Sequence, residues 1–455
     1  MKNMTLKNIV LAVEGTYFGP KEALQKEVAG IALDSRKIEK DWLFVATKGE
    51  RVDGHSFINQ VIENGAAAVI SEKELIDANF PYILVEDSFI ALKKIAAFYR
   101  EQLDVKVVGI TGSVGKTSTK EMIASVLSTK YKVQKTQKNF NNEVGLPLTV
   151  FSITDEHEIA VLEMGISDFG EMTRLTNIAK PDICVITNIG QCHLENLGDR
   201  DGVLKAKTEI FAGMKETGDV VLNGEDDKLL TIKTVDGKPV HYFSKDETKE
   251  AEVYASHIVS RGLLGTKCTI HTKEGNMDVH IHMPGEHMVN NALTATVVGL
   301  LCDLSLEQIK EGIEKAETLA GRSHIIEAKN YIIIDDCYNA NPVSMRAALD
   351  LLETAQGRKV AIVGSMFELG EKEEQLHYDI GVYGAEKNID VVVALGQLGA
   401  KIYDGVKATG GKEAYYFETV EEFLQKKDSI LKEKDTILVK ASHGMHLEQI
   451  VDALK

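Results

Sequence analysis

A strand, a glycine-containing loop and a helix follow one another at residues 107–122, and this stretch constrains the fold more than any other. It reads VVGITGSVGKTSTKEM: β-branched residues lead into Gly112 and Gly115, and a helix-like run follows from Lys116 and Thr117. Backbone N–H groups at a helix N-terminus bind phosphate, while a lysine and a hydroxyl at the same point reach β/γ-phosphates and magnesium. The stretch therefore predicts an ATP or GTP site on a parallel α/β sheet.

The glycine spacing departs from the usual phosphate-loop pattern, in which four residues separate a first glycine from Gly-Lys-Ser/Thr. Ile110 takes the first glycine position, and the glycine stands at 112 instead. A glycine turn beside a surface lysine is the alternative interpretation, but every physical element of a phosphate site is present. The predicted nucleotide-binding run is Thr111, Gly112, Ser113, Val114, Gly115, Lys116, Thr117 and Ser118.

The chain is long enough for about three domains of roughly 150 residues each. Short apolar runs that end in Gly, Asn or Asp recur along the 455 residues and alternate with amphipathic, helix-length segments, a pattern typical of doubly wound α/β folds. We expect a small α/β domain at 1–103, a central parallel-sheet domain with the phosphate loop at 104–320, and a Rossmann-like domain at 321–455. Residues 251–283 alternate instead, as an antiparallel edge does.

Composition excludes several classes of function. The formal charge of -17, with no basic cluster interleaved with aromatics, argues against nucleic-acid binding. The N-terminal apolar run of five residues is too short for a signal peptide or a membrane span, so we expect a cytoplasmic protein without membrane insertion. The 5 cysteines are widely and irregularly spaced, which predicts neither disulfides nor a zinc site.

One lysine lies on the wrong face of a predicted helix. The segment DGVLKAKTEIFAGMKETG reads as a helix that ends near Gly218, and Lys207 falls near the middle of its apolar arc, whereas Lys205 points to the opposite side. An inward lysine must extend to solvent, pair with an anion or change its chemistry, because burying a free ammonium is costly. The sequence alone leaves these three alternatives open.

Two further candidates follow strands near the phosphate loop. Glu163 ends the strand IAVLEMG, where it could supply a carboxylate to magnesium or serve as a solvated strand-end acid. His193 lies in TNIGQCHLENLG, at the end of the next predicted strand, and could be a hydrogen-bonding residue or a ligand. Both precede the helix that carries Lys207.

Taken together, these motifs resemble the Mur ligases of bacterial cell-wall synthesis, and the resemblance covers essentially the whole chain. In that family TGSVGKTS corresponds to the ATP loop, LEMG to a magnesium carboxylate, CHLE to a magnesium-ligand histidine, and KAKTEIF to a helix with a carbamoylated lysine. The resemblance thus implies ATP, two magnesium ions and a carbamoylated Lys207. The implied metal ligands are Thr117, Glu163, His193 and Lys207, and the implied catalytic residues are Lys116, His193, Lys207 and Arg322.

Three more segments match the family. GEHMVNNALTA resembles its Asn motif, which places Asn291 near the nucleotide; LAGRSH places Arg322 between the second and third domains, where the family uses an arginine on the γ-phosphate. YIIIDDCYNANPVSM puts Asp335 at a strand end, where the family has a ribose-binding acid. Without the family these would be a helix start, a surface arginine and a capping aspartate.

The resemblance is strongest to the branch of the family that joins D-alanyl-D-alanine to UDP-N-acetylmuramoyl-tripeptide. LDSRKIEKDWLFVATKGERVDGHSFI, KNFNNEVGLP, YNANPVSM and GSMFELG are the distinguishing segments, and the Asp-Asn-Pro-Arg type motif of the tripeptide-forming branch is absent from the sequence. The implied UDP-sugar contacts are Ser35, Arg36, Asn139, Asn141 and Asn142, and Asn339 and His377 are implied near the dipeptide. Ser365, where we expect Asp, and His443, where the family often has Arg, depart from the pattern.

The implied reaction is an ATP-dependent, ADP-forming amide ligation through an acyl phosphate, in peptidoglycan synthesis and so in cell shape and division. We expect a monomer that closes around its substrates at hinges near 103 and 320. Two alternatives remain: a related ligase with another acceptor, such as the tripeptide-forming Mur ligase or a folylpolyglutamate synthase, and a nucleotide-driven switch. The third residue of the tripeptide, lysine or diaminopimelate, is not indicated by the sequence.

Overall fold

The computed structural model describes residues 1–50, 52–247 and 251–455. Its three large sheets follow one another along the chain, as the α/β prediction requires. The first sheet has five strands in the order β1-β5-β4-β3-β2, parallel except for β1. Strands β1 to β5 are Thr16–Phe18, Ile31–Ala32, Leu43–Val45, Ala68–Ser71 and Tyr82–Leu84, and helices α1 to α3 are Leu6–Val13, Ile58–Glu63 and Ser88–Glu101.

The second sheet is the largest and has nine strands, β16-β15-β14-β13-β10-β9-β6-β8-β7. Strands β6 to β10 are Lys106–Thr111, Val133–Lys135, Ile159–Glu163, Ile183–Ile186 and Asp219–Asn223; β11 and β12 (Thr234–Val235 and Lys238–Pro239) form a separate pair; β13 to β16 are His241–Ser244, Val253–Ser260, Thr266–Thr272 and Gly275–Ile281. Helices α4 to α10 are Lys116–Leu127, Gly145–Phe151, Glu171–Ala179, Leu194–Leu197, Arg200–Thr208, Met288–Leu301 and Leu306–Lys315. The antiparallel pairing of β14, β15 and β16 confirms the predicted edge.

The third sheet has six strands in the order β17-β18-β22-β19-β20-β21. Only β17 runs antiparallel to its neighbour. Strands β17 to β22 are His324–Glu327, Ile332–Asp335, Lys359–Gly364, Val391–Leu395, Glu413–Phe417 and Thr436–Lys440. Helices α11 to α15 are Pro342–Glu353, Glu373–Glu386, Gly399–Thr409, Val420–Ile430 and Glu448–Leu454.

The three sheets are not equally independent. One continuous apolar core joins the first sheet, α3 and the α5/α6 side of the second sheet. Tyr99 and Arg100 of α3 reinforce it, because they donate to the backbone oxygens of Ile153 (2.7 Å) and Ala179 (2.9 Å). The third sheet keeps two cores of its own. We propose domain boundaries at the connections 102–105 and 316–323. Because the first two sheets share one core and the third has its own, the third sheet's domain is freer to move against the second than the first is.

The helix that carries Lys207 is shorter than the sequence suggests. It ends as an α-helix at Thr208 and continues as a 3₁₀ turn over Glu209–Gly213, so the predicted end near Gly218 is wrong. The buried face is nevertheless as predicted, because Val203, Ala206 and Lys207 are buried. Within the described residues, the structure contains no helix of sufficient length and apolarity to span a bilayer.

Candidate functional site

The predicted phosphate loop connects the end of β6 to the start of α4. Gly112 has φ 149 and approaches β9 so closely that a Cβ would stand 1.9 Å from Oγ1 of Thr187, and Gly115 has φ 82 at the N-cap of α4. Both positions therefore require glycine. Nζ of Lys116 curls back and donates to the carbonyl of Gly112 at 2.7 Å.

Side chains and backbone after β9 hold the loop in shape. Oδ1 of Asn188 accepts from the backbone N–H of Val114 at 3.0 Å, and Oγ1 of Thr187 donates to the carbonyl of the same valine at 2.7 Å. Oγ of Ser113 accepts from the N–H of Gly190 at 2.8 Å. The loop is thus preorganised before any nucleotide arrives.

A buried carboxylate faces the hydroxyl of the loop. Oε1 of Glu163, at the end of β8, accepts from Oγ1 of Thr117 at 3.2 Å and from Nδ2 of Asn141 at 2.8 Å. Oε2 is buried and has no hydrogen-bond partner within the described residues, and the nearest cation, Nζ of Lys120, is 3.9 Å away. A carboxylate oxygen without a donor beside a phosphate-loop threonine fits a bound Mg²⁺.

Lys207 enters the same region from α8. Its side chain is 1% exposed, and no hydrogen bond or ion pair holds its ammonium among the residues described. Burial lowers the pKa of Lys207 to about 8, and repulsion from Lys116 acts in the same direction. Because a neutral amine is the form that adds CO₂, and because the carbamate is an anionic oxygen ligand, the environment fits the predicted carbamoylation.

His193 stands at the boundary between the second and third sheets. Its backbone is left-handed, with φ 51, and its Nδ1 lies 2.6 Å from Oε2 of Glu368 in the third sheet's domain. The imidazole holds the pKa of Glu368 below its usual range.

No group of three or more His, Cys, Asp or Glu side chains suited to a metal occurs in the described ranges 1–50, 52–247 and 251–455. The predicted metal ligands Thr117, Glu163, His193 and Lys207 would not form such a group, because only two of them, Glu163 and His193, are of these residue types. The other two would bind through a hydroxyl and through the predicted lysine carbamate.

A cavity of about 230 Å³ extends from the phosphate loop between the second and third sheets. Asn291 of α9 lines it, and its Oδ1 accepts from Oγ1 of Thr119 at 3.0 Å. Arg322 lines it from the connection before β17: its Nη2 donates to Oγ1 of Thr117 at 3.4 Å, and its guanidinium stacks 4.0 Å from the ring centre of Tyr338. The structure thus brings Lys116, Thr117, Asn291 and Arg322 to one cavity.

Asp335, the predicted ribose-binding acid, is placed differently from that expectation. Its carboxylate is buried away from the cavity, where it accepts from the N–H of Gly321 at 2.8 Å and from Sγ of Cys337 at 3.0 Å. The next residue, Asp336, lines the cavity and pairs with Nζ of Lys440 at 2.7 Å. Asp335 therefore fixes the connection that carries Arg322, and Asp336 is the acid that faces the cavity.

A second cavity of about 240 Å³ opens from the other side of Lys116. It shares Ser113, Lys116, Asn339, Ala340 and Asn341 with the first cavity. Its remaining walls are Cys192, His193, Phe367, Glu368, Leu369, Ser442, His443 and Gly444. Asn339 and the departing residue His443 both line it, whereas Ser365 does not.

His377 does not reach either cavity, so the expectation of a direct dipeptide contact is wrong. Its side chain is fully buried, its Nε2 accepts from the N–H of Met366 at 2.7 Å, and its Nδ1 lies 2.6 Å from the carbonyl of Glu373. Both ring nitrogens are therefore used within the protein, and burial lowers the pKa of the imidazole. His377 holds the segment that precedes Phe367 and Glu368.

The predicted UDP-sugar residues are not gathered by direct contacts. Arg36 is exposed and binds Asp34 through two hydrogen bonds of 2.9 and 2.8 Å. Oδ1 of Asn142 accepts from the N–H of Gly145, the first residue of α5, at 2.8 Å. Asn141 supports Glu163, as described above. Ser35 is buried at the start of a 3₁₀ turn, and Asn139 is exposed.

Sequence reasoning missed four of the acidic, basic and histidine side chains that line the cavities: His287, Asp336, Glu368 and Lys440. Glu368 and His287 lay inside segments quoted for the family, GSMFELG and GEHMVNNALTA, but no residue-by-residue correspondence reached them. For Lys440, a charged residue at the end of the apolar run TILVK was the available signal.

The chain matches three family models in succession. Residues 27–110 match the Mur ligase family catalytic domain, residues 110–299 the Mur ligase middle domain, and residues 321–443 the Mur ligase glutamate ligase domain.

Curated proteins and solved structures agree with these matches over the full length. The UDP-N-acetylmuramoyl-tripeptide–D-alanyl-D-alanine ligase of Bacillus subtilis (strain 168) is 39% identical, with 100% of this chain and 99% of that protein covered. The crystal structure of MurF from Acinetobacter baumannii superposes with a TM-score of 0.90 at 33% identity and covers 99% and 98% of the two chains. MurF ligase from Thermotoga maritima, in complex with ADP, gives 0.82 at 29% identity, with 93% and 96% covered. The chain therefore belongs to the Mur ligase family.

Proposed function

We propose that this protein joins D-alanyl-D-alanine to UDP-N-acetylmuramoyl-tripeptide, with ATP converted to ADP and phosphate, as a step of peptidoglycan precursor synthesis. The observation that carries the proposal is the convergence of Lys116, Thr117 and Glu163 with Arg322 of the following domain, in a chain that matches ligases of this name from end to end. The proposed enzyme acts as a monomer in the cytoplasm, where ATP and the UDP-linked tripeptide are both available.

The first step is phosphoryl transfer. A carboxylate oxygen of the tripeptide attacks the γ-phosphorus, the bond from that phosphorus to the bridging oxygen breaks, and ADP leaves. In this step Lys116 and Arg322 hold the phosphate oxygens, and the loop N–H groups fix their positions, because positioning and charge account for most catalysis of this kind. Lys116 only has to exchange the Gly112 carbonyl for a phosphate oxygen.

Magnesium, when bound, neutralises the phosphate charge that accumulates in this step. Thr117 and Glu163 would hold one ion beside the β- and γ-phosphates, and His193 with carbamoylated Lys207 would hold a second. Asn141 keeps Glu163 in position through its 2.8 Å hydrogen bond. The carbamate gives Lys207 an anionic end, which accounts for a buried amine without an ionic partner.

The second step forms the amide. The amine of the dipeptide attacks the acyl carbon, the bond from that carbon to the phosphate oxygen breaks, phosphate leaves, and the nitrogen loses a proton. The acyl phosphate must be kept from water while it waits for the amine. Contact of the third sheet's domain with the phosphate loop through Arg322 closes that face of the site.

Acceptor-dependent phosphate release tests this proposal. We expect release from ATP only when UDP-N-acetylmuramoyl-tripeptide and D-alanyl-D-alanine are both present, and a product heavier than the tripeptide by the dipeptide residue. Glutamate with a folate, or a single diamino acid with the UDP-linked dipeptide, serves as the alternative substrate pair. Release with either alternative pair, and none with the tripeptide and D-alanyl-D-alanine, would overturn the choice of acceptor.

A further inference from the structure

The two cavities meet at the phosphate loop and differ in chemistry. The first carries the amide, hydroxyl and charged groups near Asn291 and Arg322, which suit a nucleotide. The second runs from Lys116 toward Phe367, Glu368 and His443 of the third sheet's domain. The proposed function places the γ-phosphate and the acyl phosphate at Lys116, which lines both cavities, so the second cavity offers a nucleophile a route that does not cross the nucleotide.

The walls of the second cavity suit a small zwitterion with methyl side chains. Phe367 is 44% exposed, although it is a large apolar residue, and with Ala340 and Leu369 it offers an apolar wall. His443 is an exposed imidazole at one end. A dipeptide of alanine presents two methyl groups, one carboxylate and one ammonium, and the ammonium carries the nitrogen that must reach the acyl carbon.

Glu368 is the single carboxylate among the described residues that line this cavity. Its side chain is 57% exposed, and its backbone has φ 62, a left-handed conformation that is costly for a residue other than glycine. Such conformations persist only where the surrounding structure holds them, and they cluster at active sites and ligand clamps. In this conformation the carboxylate of Glu368 faces His193.

The contact between Glu368 and His193 leaves the carboxylate available. Oε2 lies 2.6 Å from Nδ1 of His193, whereas Oε1 has no hydrogen-bond partner among the residues described. The imidazole of His193 lies beside the Glu368 carboxylate, at a position that an incoming cation would take.

We propose that Glu368 binds the ammonium group of the incoming D-alanyl-D-alanine in the second cavity and so places its nitrogen near the acyl carbon beside Lys116, where it becomes the nucleophile once one proton has passed to solvent. The inference rests on the proposed function and adds the acceptor's recognition residue to it. Phe367 and Leu369 contact the methyl groups, and His443 lies at the end where the dipeptide carboxylate belongs. Segment 365–369 is held from behind by His377, which keeps Glu368 in place.

The test compares Glu368→Gln with wild type and with Glu371→Gln, a matched change at an exposed residue three positions later. Steady-state rates give KM for D-alanyl-D-alanine, KM for ATP and the Mg²⁺ concentration for half-maximal rate. Loss of one charge-assisted hydrogen bond predicts a rise of about 10- to 100-fold in KM for the dipeptide. KM for ATP and the Mg²⁺ requirement stay unchanged, Glu368→Asp recovers part of the loss, and Glu371→Gln behaves as wild type.

A ligand that lacks the ammonium gives an independent readout. Inhibition by N-acetyl-D-alanyl-D-alanine is expected to be weak in wild type and not weakened further in Glu368→Gln, so that the variant loses its preference for the free amine. An unchanged KM for the dipeptide in Glu368→Gln would overturn the inference. If the Mg²⁺ requirement rises at the same time, Glu368 supports His193 instead. Wild-type protein that shows no dipeptide-dependent reaction would instead overturn the proposed function.

Discussion

Nη2 of Arg322 lies 3.4 Å from Oγ1 of Thr117, although 205 residues separate the two in the chain. Thr117 belongs to the helix that begins at the phosphate loop, and Arg322 to the connection into the third sheet. Gly321 beside it is fixed by Asp335, and the guanidinium is stacked on Tyr338. The phosphate site is therefore complete only when the third sheet's domain rests on the second.

Replacement of Arg322 by lysine should lower kcat by at least about 100-fold, because a planar guanidinium that stabilises transferring phosphate is not replaced by a point charge. KM for ATP should change less, since the loop and Lys116 remain. Arg346→Lys is the control, because Arg346 also stacks on a tyrosine, 4.5 Å from the ring centre of Tyr383. Equal kcat values for Arg322→Lys and Arg346→Lys would show that Arg322 does not act on the transferring phosphate.

Replacement of Lys207 by methionine should move activity and stability in opposite directions. The variant removes a buried amine without an ionic partner and fills its space, so we expect an unchanged or higher Tm, whereas ADP formation should fall by at least about 100-fold. Lys205→Met, on the exposed face of the same helix, should retain activity.

Carbamoylation can be observed directly. Wild-type protein in carbon-13 bicarbonate should show one carbamate resonance that is missing from Lys207→Met. Full activity of Lys207→Met, or a spectrum without the resonance in wild type, would show that Lys207 is not a ligand.

Replacement of Glu163 by glutamine tests the predicted metal carboxylate. The amide oxygen still accepts from Thr117 and Asn141, so the loop should keep its shape, but the anionic oxygen without a partner is lost. We expect the Mg²⁺ concentration for half-maximal ADP formation to rise by at least about tenfold. Glu156→Gln, at an exposed ion pair, should leave it unchanged. If the Mg²⁺ requirement of Glu163→Gln equals that of wild type, Glu163 does not bind the ion.

Replacement of His377 by glutamine should change the pH dependence of stability. Burial lowers the pKa of His377 in the folded protein, so its stabilising contribution is complete above the unfolded pKa of about 6.5 and is lost as pH falls through the lower folded value. Tm of wild type should therefore drop more steeply below about pH 6.5 than Tm of the variant. Parallel curves would mean that His377 does not titrate on unfolding.

The sequence was sufficient for features that depend on local chemistry. The phosphate loop, the inward face of Lys207 and the antiparallel edge at β14 to β16 follow from glycine positions and apolar periodicity, and the structure has each of them. The end of α8 was missed because a 3₁₀ turn continues the same apolar face beyond Thr208.

Features that depend on which of two neighbouring residues turns inward could not be derived. Asp335 and Asp336 are adjacent and identical in type, and only the pairing of β18 with β22 places Lys440 against Asp336. Likewise, nothing in the sequence distinguishes His377 from a surface histidine, and only the packing of helix α12 places it against Met366. The contact of Glu368 with His193 joins positions 175 residues apart, and no local pattern encodes it.

Oxygen-18 transfer tests the central claim most directly. UDP-N-acetylmuramoyl-tripeptide labelled in its terminal carboxylate is incubated with the protein, ATP, Mg²⁺ and D-alanyl-D-alanine, and the products are analysed by mass spectrometry. Ligation through an acyl phosphate predicts one labelled oxygen in each released phosphate, together with ADP and the extended peptide. Extended peptide accompanied by unlabelled phosphate, or by labelled AMP, would contradict the account.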